Sequence, residues 1–141
     1  MIISLVKEQK GSEFIQEMEN TYGSLEEAKK LFKRNPRNMI LYVDIENWTY
    51  YRKHPNESIK RTNSIVTKNL TLSEDEIDLL NTIKHKKPQS IRELAKMLHK
   101  DISSIQPKVK NLVKEGLIQL KSGNKNSKIP YLNYDEISVI I

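Results

Sequence analysis

Hydrogen-bonding side chains alternate with apolar ones in the stretch Ser103–Leu112, which reads SSIQPKVKNL. Its serine hydroxyls and the amides of Gln106 and Asn111 can both donate and accept hydrogen bonds, whereas Lys108 only donates. The apolar residues recur at the spacing of one helix face, at Ile105, Val109 and Leu112. The stretch therefore predicts an amphipathic helix that offers a row of polar groups to a partner.

The charge around this stretch indicates what kind of partner to expect. The chain has 141 residues, a formal net charge of +6 and a pI of about 9.4. From Lys84 to Lys128, 12 lysines and arginines stand against three acids, a balance of +9, so the remaining residues sum to −3. Such a basic segment is typical of a surface that binds phosphates, and a solvated lysine-rich surface is the alternative.

The composition argues against several other classes of protein. Without cysteine, the chain can form no disulfide, thiolate metal site or cysteine nucleophile. No apolar run approaches the roughly 20 residues that span a bilayer, and the N-terminus lacks the basic flank of a signal peptide. The histidines, at 54, 85 and 99, have no metal-ligand spacing. We expect a cytoplasmic protein with no cofactor, no metal site and no membrane partner.

Two further helices are predicted before the polar stretch, the second of them short. Ser73–Glu76 is a capping box, and the helix it opens has an inner face of Ile77, Leu80 and Ile83 and ends before Pro88. Ser90–Glu93 is a second capping box, opening a helix with the stripe Ile91, Leu94, Ala95 and Leu98. A turn of about four residues, His99–Ile102, has the length that joins two helices of a helix-turn-helix.

The start of the third helix depends on Pro107, which has no N–H and disfavours a helix interior. Ser103 as the N-cap, with Gln106 reaching back to its N–H, ranks first because it places Pro107 near the helix start. A start at Pro107 ranks second and Asp101 as the cap third. In each case Gly116 ends the helix.

A hairpin is predicted after the third helix. Leu117–Leu120 is short and apolar, residues 122–127 form a turn with basic character, and Ile129–Tyr134 returns as a strand in which Pro130 indicates an exposed edge. The resulting fold class is α+β: a winged helix-turn-helix over residues 72–141, made of three helices and a β-hairpin wing, with an N-terminal α/β extension over residues 1–71.

Specific residues also resemble a known family. The segments SIRELAKML (90–98) and VKNLVKEGLI (109–118) resemble the MarR-like winged helix-turn-helix DNA-binding regulators of bacteria and archaea. The ending YDEISVII (134–141) resembles an antitoxin-like subgroup that finishes in such a strand. The resemblance covers about half of the chain and departs from better-known members in lacking obvious long dimerisation helices. It implies a third helix in the major groove and a wing on the flanking DNA backbone.

The resemblance, carried onto this chain, implies two sets of DNA-binding residues. The side chains that could read base edges lie off the apolar stripe, at Ser103, Ser104, Gln106, Lys108 and Asn111. The basic side chains that could contact phosphates are Arg92, Lys110 and Lys114 and the wing residues Lys121, Lys125 and Lys128. Each lysine taken singly could instead be a solvated charge.

The first 71 residues are predicted to form mixed helix and strand with a role in dimerisation or packing. The expected strands are Ile2–Val6 and Met39–Val43, and either could pair with a C-terminal strand, Ile137–Ile141, within the chain or across a two-fold axis. Helices are expected around Phe14, Ile15 and Met18 and after Ser24, the latter burying Leu25, Ala28, Leu31 and Phe32. Residues 54–63 read as a loop.

The aromatic cluster in this half has two interpretations. Trp48, Tyr50 and Tyr51 could line a ligand pocket or a dimer contact. Core packing beneath the winged helix is the preferred interpretation.

One motif raises the question of catalysis. LYVDIEN (41–47) resembles the first strand of small metal-dependent RNases of the NYN type, in which Asp44 would bind a cation. The further carboxylates such a site needs are not supplied by later strands, so Asp44 and Glu46 read as a strand end and a helix cap. No enzyme is expected.

We expect a sequence-preferring, double-stranded DNA-binding transcriptional regulator, with a recognition helix over about 103–115 and a wing over about 121–128. It would act as a homodimer, because operators usually mirror a protein two-fold axis. An autoregulating, antitoxin-like repressor with a toxin as protein partner is one form of this function. The alternatives are a winged-helix module that binds protein and, ranked lower, a small RNase using Asp44.

Overall fold

A computed structural model of the protein describes residues 2–66 and 72–141. These residues have an α+β architecture with six α-helices, one pair of strands forming an antiparallel hairpin and a second, three-stranded sheet. The chain divides into two compact units, here called the composite unit (Met1–Val6 with Thr62–Ile141) and the helical unit (Lys7–Arg61).

The helical unit contains three helices around its own apolar core. They are α1 (Gly11–Tyr22), α2 (Leu25–Arg34) and α3 (Met39–Lys53). The expected helices of this half are confirmed, and Ser24 caps α2 by accepting a hydrogen bond from the Glu27 N–H at 3.1 Å. Leu31 was expected inside and is instead 42% exposed, whereas Leu25 and Ala28 are buried.

The strand expected at Met39–Val43 is wrong, because this segment begins α3. Asn38 caps the helix through a 3.1 Å hydrogen bond from the Leu41 N–H to its side-chain oxygen. Leu41, Ile45 and Trp48 then recur at helical spacing, and all three are buried. The apolar run was therefore part of a helix face.

The helical core also corrects the interpretation of the aromatic residues. Trp48 is buried, as expected of a packing residue, but it packs with Phe14 and Met18 in the core of the helical unit. It does not belong to the core of the composite unit, beneath the expected winged helix. Tyr50, by contrast, is exposed.

Strands from distant parts of the sequence form a three-stranded sheet. Its strands are β1 (Ile2–Lys10), β2 (Ser58–Val66) and, at the C-terminal end, β5 (Glu136–Ile140), in the order β2-β1-β5. The loop expected over residues 54–63 is thus partly wrong. β1 and β5 run antiparallel, with Ile3 opposite Val139 and Leu5 opposite Ile137, and the residues that pair them all lie in the composite unit. Pairing of the C-terminal strand with Ile2–Val6 is confirmed.

Three helices supply most of the remaining core of this unit: α4 (Glu74–Lys86), α5 (Ile91–Met97) and α6 (Ile102–Lys114). The Ser73 N–H donates to the Glu76 carboxylate at 3.1 Å, and the Ser90 hydroxyl accepts from the Glu93 N–H at 3.0 Å. The inner face of α4 is Leu79, Leu80 and Ile83. The prediction that Ile77 lies on that face is wrong, because its side chain is 54% exposed.

The ranking of starts for α6 is also wrong, because Asp101, placed third, is its N-cap. The N–H groups of Ser104 and Ile105 both donate to the Asp101 carbonyl, at 3.0 and 3.2 Å. His99 has a positive φ of 55°, which lets the chain turn sharply and resume a helix at Ile102. Pro107 consequently lies in the second turn, and the helix continues through it.

A hairpin follows α6 directly. Strands β3 (Gln119–Ser122) and β4 (Lys128–Tyr131) pair antiparallel, with Leu120 opposite Pro130. Pro130 was expected on an exposed edge. Within the described residues β4 has β3 as its one neighbouring strand, so β4 is an edge strand. The Pro130 side chain is nevertheless buried, because β4 packs against α4 and α5.

Candidate nucleic-acid interface

The solvent-facing side of α6 is the centre of the candidate site. Ile105, Val109 and Leu112 point into the core and are buried. At about 100° per residue, the opposite side of the helix is centred on residue 107. The residues on or close to this side are all exposed: Ser103, Pro107, Lys110, Asn111 and Lys114. This outward face has two cationic groups, one amide, one hydroxyl and no acid.

The other predicted base-reading residues of α6 lie on its flanks. Ser104 and Gln106 are exposed. The Ser104 hydroxyl donates to the Asp101 carbonyl at 2.9 Å, so it contributes to the cap of the helix. The structure thus brings Ser103 and Asn111 together on the outward face and leaves Ser104 and Gln106 at its borders.

Lys108 has a different environment from the other residues of the predicted set. Its ammonium lies 3.0 Å from the Asp75 carboxylate at the start of α4, and Lys100 approaches the same carboxylate at 3.2 Å. Hydrogen bonds from Lys108 and Lys100, together with their charges, lower the pKa of Asp75. Lys108 therefore ties α6 to α4 within the unit.

Internal ion pairs leave only part of the positive charge of this segment available to a partner. Of the 12 basic residues from Lys84 to Lys128, three are paired with acids in the described residues: Lys84 with Asp135, and Lys100 and Lys108 with Asp75. The predicted phosphate-binding residues are not in those pairs, and all are exposed: Arg92, Lys110, Lys114, Lys121, Lys125 and Lys128.

The hairpin carries three of these lysines in different settings. The Lys121 ammonium lies over the Tyr131 ring, 5.1 Å from its centroid. Lys125 is at the tip, where it and Asn126 have positive φ angles of 52° and 62°. Lys128 begins β4, opposite Ser122. The tip therefore projects a lysine on a tight turn, and strand β3 holds another against an aromatic ring of β4.

Sequence reasoning missed the role of Asp75. In the sequence Asp75 stands in the first turn of a predicted helix, where the helix dipole favours acids and no further role is indicated. Its partner Lys108 is 33 residues away, so no local pattern connects the two.

Tyr134 anchors the segment that follows the hairpin. Its buried hydroxyl donates to the Leu117 carbonyl at 2.8 Å, and burial raises the pKa of Tyr134 to about 12. The Lys84 ammonium lies 2.6 Å from both the Tyr134 carbonyl and the Asp135 carboxylate. These contacts hold the start of the hairpin, the end of α4 and the approach to β5 together.

Asp44, the residue of the nuclease-like motif, lies in the middle of α3 and not at a strand end or helix cap. Its carboxylate accepts a hydrogen bond from the Tyr22 hydroxyl at 2.9 Å and lies 3.7 Å from the Arg61 guanidinium. Across residues 2–66 and 72–141, no group of three potential ligands is placed to hold a metal ion. Glu46, which is exposed, also lies within α3.

A neighbouring carboxylate in the helical unit belongs to the same network. Glu17 accepts hydrogen bonds from Gln9 at 3.1 Å and Arg61 at 3.0 Å, and Lys7 is 3.4 Å away. Burial raises the pKa of Glu17, but the Gln9 hydrogen bond and the charges of Lys7 and Arg61 outweigh it, so the pKa is lowered. Asp44 and Glu17 thus serve as structural acceptors around Arg61.

Residues 71–139 match the family model described as HVO_A0114, just under half of the 141-residue chain. The match contains all of the candidate DNA contacts, and its description states no activity, ligand or partner. No curated protein and no solved structure matches the chain. In the parts of the chain that the structure covers, no helix combines the length and apolarity needed to cross a bilayer.

Proposed function

We propose that the protein is a sequence-preferring, double-stranded DNA-binding transcriptional regulator with a MarR-like winged helix-turn-helix. In this proposal α5 and α6 form the helix-turn-helix, α6 enters the major groove, and the β3–β4 hairpin is the wing. The observation that carries the proposal is the outward face of α6, which combines hydrogen-bonding and cationic groups and has no acid.

The two kinds of contact would come from different residues. Ser103 and Asn111 on the outward face, with Gln106 at its border, can form hydrogen bonds with base edges, and an asparagine or glutamine suits adenine. Lys110, Lys114, Arg92 and the hairpin lysines would contact phosphates and set the position of the protein without reading sequence. Ser104 and Lys108 would support the helix from within the unit.

A homodimer is part of the proposal. β5 is the edge of its sheet in the described part of the chain, and Val139 and Ile140 are exposed on it. An exposed apolar edge strand can pair with a second copy around a two-fold axis. A dimer would read two half-sites, as helix-turn-helix proteins usually do. An antitoxin-like repressor of its own genes, with a toxin as partner, remains one form of this function.

A winged-helix module that binds protein is the second candidate, and one observation in the helical unit attached to it favours contact with another protein. Near the start of α3 Ile40 is 76% exposed, and Met39 and Val43 beside it are exposed as well. An apolar patch on a protein surface often marks a site for another protein. Such a module would bind duplex DNA weakly and without sequence preference.

The test is selection of bound sequences from a random duplex library, followed by affinity measurements at several salt concentrations. We expect enrichment of a defined sequence, with log affinity falling linearly with log salt because counterions are released from the phosphates. A protein that enriches no sequence and whose weak binding does not depend on salt would contradict the proposal and favour the protein-binding module.

A further inference from the structure

We infer that the backbone carbonyl of Ser103 and the ring of Pro107 together read one A·T base pair in the major groove. The inference rests on the proposed function and names a contact within the same interface. It uses a backbone group and an apolar ring, neither of which belongs to the polar side chains considered above.

The carbonyl is available because of the proline. In an α-helix the N–H of each residue donates to the carbonyl four positions earlier. Pro107 has no N–H, so the Ser103 carbonyl lacks that intrahelical donor. Because α6 begins at Ile102 and continues to Lys114, the missing bond lies inside the helix.

The two groups are also on the correct side of the helix. Residues four positions apart lie one above the other on the same face, and both Ser103 and Pro107 are exposed. A proline ring inside a helix pushes against the carbonyl four residues earlier, and the helix bends to relieve the clash. The outward face therefore carries a hydrogen-bond acceptor next to a rigid apolar surface.

This pair of groups matches one base pair best. In the major groove an A·T pair presents the adenine N6 amino group, a donor, and the thymine methyl. A G·C pair presents the cytosine amino donor without a methyl. The Ser103 carbonyl can accept from the amino group in either pair, but the Pro107 ring gains an apolar contact in the A·T pair alone.

The test uses a duplex that the wild-type protein has selected from a random library. Each thymine in turn is replaced by deoxyuridine, which removes the methyl, and each adenine by 2-aminopurine, which removes the N6 amino group. Dissociation constants are measured by fluorescence anisotropy for the wild type, for Pro107→Ala and for the control Ser104→Ala. The control removes a neighbouring hydroxyl in the same turn, one that donates to the Asp101 carbonyl, and leaves Ser103 and Pro107 unchanged.

We expect one base pair at which deoxyuridine weakens wild-type binding about fourfold, the effect of one buried methyl group, and 2-aminopurine about fivefold, the effect of one hydrogen bond. Pro107→Ala should lose both sensitivities, because alanine removes the ring and its N–H bonds to the Ser103 carbonyl. Ser104→Ala should keep both. Alanine is the better helix former, so the variant should fold, which circular dichroism can check.

The outcomes separate this inference from the proposed function. If the wild type binds a defined duplex but no thymine is sensitive, or Pro107→Ala retains the wild-type sensitivities, the A·T contact is overturned and DNA binding stands. If the wild type shows no salt-dependent binding to duplex DNA, the proposed function fails and the contact fails with it.

Discussion

The ammonium of Lys108 and the carboxylate of Asp75 lie 3.0 Å apart and join the proposed recognition helix to the first turn of α4. Lys100, in the turn between α5 and α6, reaches the same carboxylate. One acid thus holds two cations that would otherwise be available to phosphates. The pairing also makes Lys108→Glu a poor test of DNA contact, because it would place two carboxylates together within the unit.

Replacing Asp75 should strengthen DNA binding. In Asp75→Asn the charges of Lys100 and Lys108 are no longer neutralised, so both should contribute to attraction of the duplex. We expect tighter binding and a steeper dependence of affinity on salt, measured by anisotropy titrations. Glu74→Gln removes the same charge from the same turn of α4 and serves as the control. Equal effects of the two changes would mean that the pair with Lys108 has no specific role.

Lys110 and Lys114 should each contribute one phosphate contact. Neutralising either one with glutamine should weaken binding similarly for all sequences and reduce the slope of log affinity against log salt by about 1. The sequence selected from a random library should not change. Lys96→Gln, an exposed lysine of α5 outside the predicted set, should leave the slope unaltered. A slope that stays constant in both α6 variants would argue against this face as the DNA contact.

The hairpin should contact the DNA backbone and should not read the base sequence. A triple variant with glutamine at Lys121, Lys125 and Lys128 should lower affinity and reduce the salt slope by up to about 3, without altering the selected sequence. The strand pairing is kept because the changes leave the backbone intact. A changed base preference, determined by repeating the library selection, would instead indicate that the hairpin reads bases.

Tyr134→Phe should destabilise the composite unit and remove a pH dependence. Without the hydroxyl, the buried Leu117 carbonyl loses its partner, which costs about 1–3 kcal/mol. The pKa of Tyr134 is raised from about 10 in the unfolded chain to about 12 in the fold. Its contribution is therefore complete below pH 10 and is lost as the pH rises through 12.

Urea unfolding at neutral and alkaline pH tests this directly. Between pH 10 and 12 the wild type should lose more stability than Tyr134→Phe, so the difference between them should shrink. Parallel curves would mean that Tyr134 ionises in the fold as readily as in the unfolded chain.

Asp44→Ala should destabilise the helical unit. It removes the acceptor of the Tyr22 hydroxyl and the acid near Arg61, and we expect a loss of about 1–3 kcal/mol in the free energy of unfolding of the helical unit. Urea titrations followed by Trp48 fluorescence would measure it. Cleavage of RNA with added Mg²⁺ by the wild type, abolished in a folded Asp44 variant, would instead support the RNase alternative.

Local signals in the sequence predicted most of the helices. The capping serines Ser24 and Ser90 each accept the expected backbone hydrogen bond, because a cap depends on residues three apart. The outward face of α6 followed from its apolar period. The start of α3 was missed because Met39–Val43 is apolar throughout and fits a strand as well as a helix.

The other structural features that were not predicted from the sequence depend on contacts between distant residues. The start of α6 at Asp101 depends on the left-handed backbone at His99, a position where glycine or asparagine is the usual signal. The burial of Pro130 depends on packing of β4 against two helices, and the engagement of Lys108 depends on Asp75. None of these is visible in a window of a few residues.

The pairing of Ile2 with Ile140 bears on the order in which the protein folds during synthesis. The helical unit is a continuous segment, Lys7–Arg61, and can collapse as soon as it leaves the ribosome. β1 can pair with β2 once Val66 has been translated, but its other edge must wait for β5, so that second pairing forms late and closes a long loop. We expect the nascent chain to expose the β5-facing edge of β1 until β5 has been translated, a period in which chaperones could engage that edge.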